Sequence, residues 1–260
     1  HKYISHIRSS SLEELMFSIN KIAISEGYET LTKFRQDSTV VETNIHLPSN
    51  NSLIWDCIKE SERLLSHLQS EIDTFDYRSY IKGAKKTYFK LSNTKKMDKR
   101  TGLCIKQLGT FTKCINQVSN VVKKKQSYNH SPLSSALIAK MEHLLPLMEQ
   151  VYEMSYLKEV KGEKVENDKK LFSIYELHTD IIVKGLRHVQ FGHRVNFSTG
   201  SSNLILTCDI WSGSINDKSI FIPTLDKFTS VYGVVPRDCS ADGGYLSTSN
   251  MDYAKGLGIK

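Results

Sequence analysis

The sequence predicts an α/β protein, a mixed sheet interrupted by a long all-helical insertion after its first strand. Three observations lead there. Short β-branched runs lie on either side of residues 50–158. Within that stretch apolar residues recur at steps of three and four, the period of a helix with one buried face. Beyond residue 170 the chain returns to short β-like runs parted by Gly and Ser, then alternates helix and strand.

Taken in order, Ser11 with Glu14 reads as a capping box that opens a helix through about residue 25, closed by Gly27. Residues 33–43 (KFRQDSTVVET) read as the first strand, and Pro48, Ser49, Asn50 and Asn51 break it off. A helix follows from about Ser52, with Ile54, Ile58, Leu65, Leu68 and Ile72 on one face. A second repeats Leu108, Phe111, Ile115, Val118 and Val122, and a third spans residues 132–156 with Leu137, Met141, Leu144, Met148, Val151 and Met154 as its core stripe. Residues 160–170 form a charged linker. Three β-like runs come next, at 171–177 (LFSIYEL), 191–197 (FGHRVNF) and 204–211 (LILTCDIW), the last two joined by a hairpin loop at 198–203. Asn216-Asp217 caps a helix through about Val231, and Val234 to Ala241 leads into Asp242-Gly243-Gly244-Tyr245. Ser247 or Thr248 caps a last helix ending near Gly256, and residues 258–260 read as the start of another strand.

The charge is unevenly spread. The chain of 260 residues carries a net +7, yet residues 82–125 hold thirteen Lys and Arg against the single acid Asp98, a net +12 that leaves −5 for the rest. Such a block attracts a phosphate backbone, because each neutralised phosphate releases condensed counterions. Its plainer use is a solvated helical face. No apolar run reaches the roughly 20 residues of a membrane-spanning helix, and no basic and apolar leader opens the chain. The five cysteines show no C-x-x-C pair, which argues against a zinc ribbon or a disulfide scaffold and for reduced thiols packed as small apolar groups. No P-loop, dinucleotide fingerprint or nucleophile elbow is present.

Two acids stand out by setting. Asp37 sits within a β-like run and Asp242 ends another. A carboxylate on a sheet has a fixed position and makes a good metal anchor, whereas Asp-Ser-Thr and Asp-Gly-Gly also serve as ordinary turns. Residues 34–51 (FRQDSTVVETNIHLPSNN) running on into SLIWD, then 169–185 (KKLFSIYELHTDIIVKG) with 191–195 (FGHRV), and finally 241–245 (ADGGY), occur in that order. Together they resemble the motif blocks of bacterial insertion-sequence transposases of the DDE type, from an unclassified-family group, and cover most of residues 30–255.

The resemblance implies an RNase H-like mixed sheet, with residues 1–30 an incomplete N-terminal helical segment, 31–49 the first strand, 50–165 the basic helical insertion and 166–260 the remainder of the catalytic domain. It implies Asp37 and Asp242 as catalytic carboxylates and metal ligands for two Mg²⁺ ions, with Mn²⁺ as a substitute. The family's third carboxylate is a glutamate on a later helix. Glu163, Glu166 and Glu176 all precede Asp242, so no residue here matches it, and the chain, which opens on His1, reads as a fragment. The implied activity is DNA cleavage and strand transfer on double-stranded element ends and target DNA, by a homodimer in the bacterial cytoplasm at the nucleoid, with no membrane contact. The other function class is a catalytically inactive DNA-binding remnant. The expected phosphate contacts are Lys85, Lys86, Lys95, Lys96, Lys99, Arg100, Lys123, Lys124 and Lys125. Asp217 reads as a helix cap before a metal ligand, His193 and His46 as structural before DNA-contacting, and Glu42 as an exposed strand carboxylate.

Overall fold

Alternate residues of Lys33–Glu42 turn to opposite sides of a strand, β1, and the buried set begins with Phe34 and Gln36. That strand organises one of the two compact units in the chain, residues 1–43 with 179–260; residues 44–178 form the other. A computed structural model describes residues 7–128, 131–184, 188–213 and 215–260. Gly185, the last residue of a motif segment quoted above, lies outside the described residues, as does His1.

In the first unit the helix Ser9–Ser25 (α1) precedes β1, and four more strands and two helices follow: β2 (Asp180–Lys184), β3 (His188–Thr199), β4 (Ile205–Trp211), α7 (Asp217–Tyr232), β5 (Asp238–Ala241) and α8 (Thr248–Gly256). The sheet is mixed and open. β3 runs antiparallel to β1 along one edge; on its other edge it pairs with β2 through its first half and with β4 through its second. β5 joins the far side of β1 in parallel, from Lys33 opposite Asp238 to Gln36 opposite Ala241. The amide of Lys260 donates to Arg237 O and the amide of Cys239 donates to Lys260 O, both at 2.8 Å, the spacing of a parallel ladder step on the outer side of β5. Phe34, Leu206, Ile220, Leu225 and Phe228 form the buried centre between sheet and α7. Phe34 sits edge-on to Phe228 at 5.4 Å, and each such ring removes enough apolar surface to stabilise the unit by about 2 kcal/mol.

The second unit is helical: α2 (Asn50–Glu71), α3 (Ile81–Ser92), α4 (Met97–Lys123), the short α5 (Lys125–Tyr128) and α6 (Pro132–Glu159). The core stripes expected for α2 and α6 are buried as read, and on α4 Leu108, Phe111 and Val118 are buried while Ile115 and Val122 pack partly covered against them. Ser49 and Ser131 each close a reciprocal capping box with the serine three residues on, which fixes where α2 and α6 begin. Cys57, Cys104 and Cys114 are buried here, and desolvation pushes the Cys104 and Cys114 thiols up to about 11 and about 12. All five cysteines are free. Among the described residues no helix is long and apolar enough to cross a membrane.

Several elements differ from the sequence reading. Residues 171–177 are not a strand: Leu171 and Ile174 are buried in the helical core, and the Ser173 hydroxyl accepts the amides of Tyr175 and Glu176, a turn that extended pairing excludes. The strand expected there is β2, which begins at Asp180. α3 went unread because its buried face is only Ala84, Thr87 and Leu91, too weak a stripe among its lysines. α1 starts at Ser9 behind an Arg8 that makes no side-chain cap, so Ser11 and Glu14 lie inside the helix and form no capping box.

Candidate active site and basic helical surface

The parallel β1–β5 ladder ends with Gln36 opposite Ala241, so Asp37 and Asp242 are the next residues on adjacent strands. Both are exposed. Strand alternation turns Asp37 away from the face that carries Gln36 and Ser38, and one of its oxygens accepts the Ser38 amide at 2.7 Å. Asp242 caps the single turn Gly243–Tyr245, its Oδ1 accepting the amide of Gly244.

A third carboxylate stands at this turn. A Cβ on Gly244 would lie 2.9 Å from Asp242 Oδ1 and 3.1 Å from Asp217 Oδ2, so the two acids bracket the glycine and would have to shift slightly to admit a side chain. The helix-capping role expected of Asp217 belongs instead to Asn216, whose Oδ1 accepts the Lys218 amide. Asp217 Oδ1 accepts from Arg194 Nη1 at 2.7 Å and from the Ser38 hydroxyl at 3.1 Å. Arg194 is 5% exposed on β3 and also donates to Ile215 O, while its Nε has no partner. Sequence reading missed this arginine, because nothing in FGHRV marks which acid it meets.

A buried polar layer supports the turn from below. Tyr245 Oη donates to Asn196 Oδ1 at 3.1 Å, Gln36 Nε2 donates to the same oxygen at 3.0 Å, and Asn196 Nδ2 donates to Thr224 Oγ1 at 2.7 Å. Burial pushes the Tyr245 hydroxyl up to about 12, with the Asp217 and Asp37 charges adding to it against a lowering bond from Ser38. It therefore stays a neutral donor at any physiological pH. Beside Asp242 opens an apolar pocket of about 480 Å³, walled by β5 and by Leu246, Met251 and Ala254 of the α8 region.

Asp37 and Asp242 are hard oxygen donors of the kind Mg²⁺ takes, and the two strand ends hold them as neighbours. Among the described residues no group of three or more His, Cys, Asp or Glu is placed to hold a metal ion. His193 lies on β3 opposite Val41, and Glu42 accepts from Gln190 at 3.2 Å. His46 belongs to the helical unit, where Nε2 meets Asp56 Oδ2 at 2.5 Å.

The helical unit presents the basic surface. On α3, Ala84, Thr87 and Leu91 turn inward, which leaves Lys85 and Lys86 exposed; Lys95, Lys96 and Lys99 are exposed at the turn into α4, and Lys123 and Lys124 at its far end. An open groove of about 580 Å³ between these helices is lined by Lys90, Asn93, Thr94 and Lys99. Two expected phosphate contacts have partners within the unit: Arg100 lies 3.6 Å from Glu159, and Lys125 2.8 Å from Glu142. No family model matches the chain, and no curated protein or solved structure matches it either.

Proposed function

We propose that the sheet-bearing unit is the RNase H-like catalytic domain of an insertion-sequence DDE transposase and that residues 44–178 are its DNA-contacting helical insertion. The observation that carries this reading is the parallel pairing of β1 with β5, which makes Asp37 and Asp242 neighbours at adjacent strand ends. The sheet order supports it: three antiparallel strands, β4, β3 and β1, then a helix and a strand parallel to β1.

In this reading Asp37 and Asp242 hold a divalent cation, Mg²⁺ or Mn²⁺, two such ions completing the site together with a third carboxylate that this chain does not assign. The metal supplies Lewis acidity and an activated water or 3′-hydroxyl at a phosphodiester. The chain's own part is positional. Tyr245 and Asn196 hold the turn that carries Asp242, and Arg194 compensates the charge of Asp217 beside it. Exposed lysines of α3 and α4 neutralise phosphates of double-stranded DNA, which raises affinity without reading sequence. The reaction is phosphodiester hydrolysis followed by transesterification, carried out by a homodimer at the bacterial nucleoid.

The test uses the full-length protein with labelled element ends. Asp37→Asn and Asp242→Asn should each abolish strand cleavage in Mg²⁺ and in Mn²⁺ while DNA binding in a gel-shift assay is retained. Cleavage that survives either substitution refutes the site.

A further inference from the structure

We infer that α4 enters the major groove of duplex DNA through its outer face, with the helix backbone itself close to the nucleic acid. This helix belongs to residues 44–178, and the role given to it rests on reading that unit as DNA-contacting. Cys104, Leu108, Phe111 and Val118 turn inward. On the opposite side Lys99, Gly102, Lys106, Gly109, Lys113 and Lys123 fall on one stripe of three- and four-residue steps, and all six are exposed. No acid and no large apolar residue interrupts the stripe. Lys99 lines the open groove toward α3, and Lys113 Nζ sits 5.7 Å from the Tyr80 ring, a contact that leaves its charge uncompensated.

The two glycines are what a solvated lysine face does not account for. After proline, glycine is the least favourable residue inside a helix. A Cβ at Gly102 or at Gly109 would meet nothing within 4 Å, so neither glycine makes room for another part of this chain. A missing side chain on an outer face lets something outside the molecule approach the helix backbone closely. The alternating lysines identify that partner as a polyanion. B-form DNA suits it, because its major groove, about 12 Å wide, admits an α-helix, whereas the deep, narrow major groove of an RNA duplex does not. An anionic membrane surface suits it less, since the stripe has no large apolar side chain to bury. From Lys99 to Lys123 the stripe spans about 36 Å, about one turn of B-DNA. With Gly102 and Gly109 against the groove, the lysines reach phosphates along its walls. Asn116 and Asn120 continue the same stripe and are exposed, and their amides are the groups that bond adenine edges.

Fluorescence anisotropy with a labelled DNA duplex of about 30 base pairs, three helical turns, tests this on the full chain. Gly102→Ala combined with Gly109→Ala should raise the melting temperature of the helical unit by about 4–8 °C. Trp55 fluorescence in a Trp211→Phe background follows that melt. The same variant should bind the duplex about ten-fold more weakly, the loss of one charge-assisted contact. Lys106→Gln, on the same stripe, should lower the salt slope of binding by about 1. Guanine N7, which faces the major groove, should be methylated less by dimethyl sulfate in the complex than in free DNA. Asn116→Ala with Asn120→Ala should weaken the sequence preference selected from a pool of randomised duplexes. A glycine variant that is stabilised yet keeps wild-type affinity overturns the proposal and leaves the DNA-contacting reading standing. So do unprotected guanine N7 and competition by an RNA duplex or anionic vesicles as strong as by DNA. An unchanged selection by the asparagine variant overturns base reading by α4. A chain that binds no DNA overturns both the proposal and the reading beneath it.

Discussion

Glu29 ties the entry to β1 onto the β3–β4 hairpin, and the strength of that tie can be worked out from its hydrogen bonds. Its side chain is buried, at 2% exposure. Oε1 accepts the amides of Thr30 and Leu31, both at 2.8 Å, and the amide and hydroxyl of Ser201; Oε2 accepts the amide and hydroxyl of Ser202. Gly200 completes the fit, because a Cβ there would lie 2.6 Å from Oε1. The bond to Leu31 also holds a non-glycine residue in the left-handed region, at φ 57°, a conformation that costs about 1–2 kcal/mol. Burial alone would raise the carboxyl's pKa, but the bonds from Ser202, Ser201 and Leu31 outweigh it and bring the group from 4.5 down to about 2.

A folded-state value depressed by that amount corresponds to about 3 kcal/mol of stability. It is fully present above the unfolded value of 4.5 and is lost as the pH falls from there through about 2. Glu29→Gln keeps the shape, removes the charge and turns an amide NH₂ toward donors, so it should cost about 3 kcal/mol at neutral pH. The chain has two tryptophans, Trp55 in the helical unit and Trp211 on β4, so in a Trp55→Phe background Trp211 fluorescence follows the sheet unit alone. Urea unfolding of the parent chain and of its Glu29→Gln variant, followed from neutral pH into the acid range, should give curves that are farthest apart at neutral pH and converge as Glu29 protonates. Curves that stay parallel from pH 4.5 down to about pH 2 would refute the reasoning.

Gly192→Ala should destabilise the sheet unit by more than about 3 kcal/mol in the same assay, because a Cβ there runs into the Val41 carbonyl and lies 2.7 Å from Glu42 Cα, and backbone cannot move aside as a side chain can. Tyr245→Phe should lower stability by about 1 kcal/mol, since Asn196 Oδ1 keeps its bond from Gln36; a change of about 3 kcal/mol or more by thermal melting would mean that the polar layer is more tightly coupled than its bonds indicate. If the α3 and α4 lysines contact phosphate, the logarithm of DNA affinity should fall linearly with the logarithm of salt, and each Lys→Ala among Lys85, Lys86 and Lys99 that removes a contact should reduce the slope by about 1. Arg100→Ala should leave that slope unchanged and lower the melting temperature of the helical unit, because this side chain bonds Leu91 O and faces Glu159.

The helices with strong stripes were legible because their burial is a property of single residues at a fixed period. Met141, Met148 and Val151 of α6 are fully buried where the spacing puts them. The same holds for β1, β4 and α7, each bounded by a turn or a capping residue visible in the chain. α3 was invisible because its buried face is carried by an alanine, a threonine and one leucine, and helix period without apolar contrast looks like a charged loop. The misplacement of β2 has another cause: LFSIYEL has β composition, but its leucine and isoleucine are anchors for the helical core, and composition does not say which core an apolar residue joins.

The same limit governs the candidate site. Asp37 and Asp242 could be singled out because each sits at a recognisable strand position, and pairing between β1 and β5 then makes them neighbours. Asp217 could not, because Asn-Asp before a helix carries the same local signal whichever of the two side chains caps it. The cap falls to Asn216, and the freed carboxylate is taken by Arg194, 23 residues upstream and almost fully buried. A buried guanidinium left without its acid is costly, so Asp217→Asn should destabilise the sheet unit by about 2–3 kcal/mol even though Asp217 is partly exposed. Replacing both members, Arg194→Met with Asp217→Asn, should recover part of that loss, since no stranded charge remains. If the double variant is instead less stable than the sum of the two single changes, the pair is not acting as a charge-compensated unit, and Asp217 must be held at Gly244 by something other than Arg194.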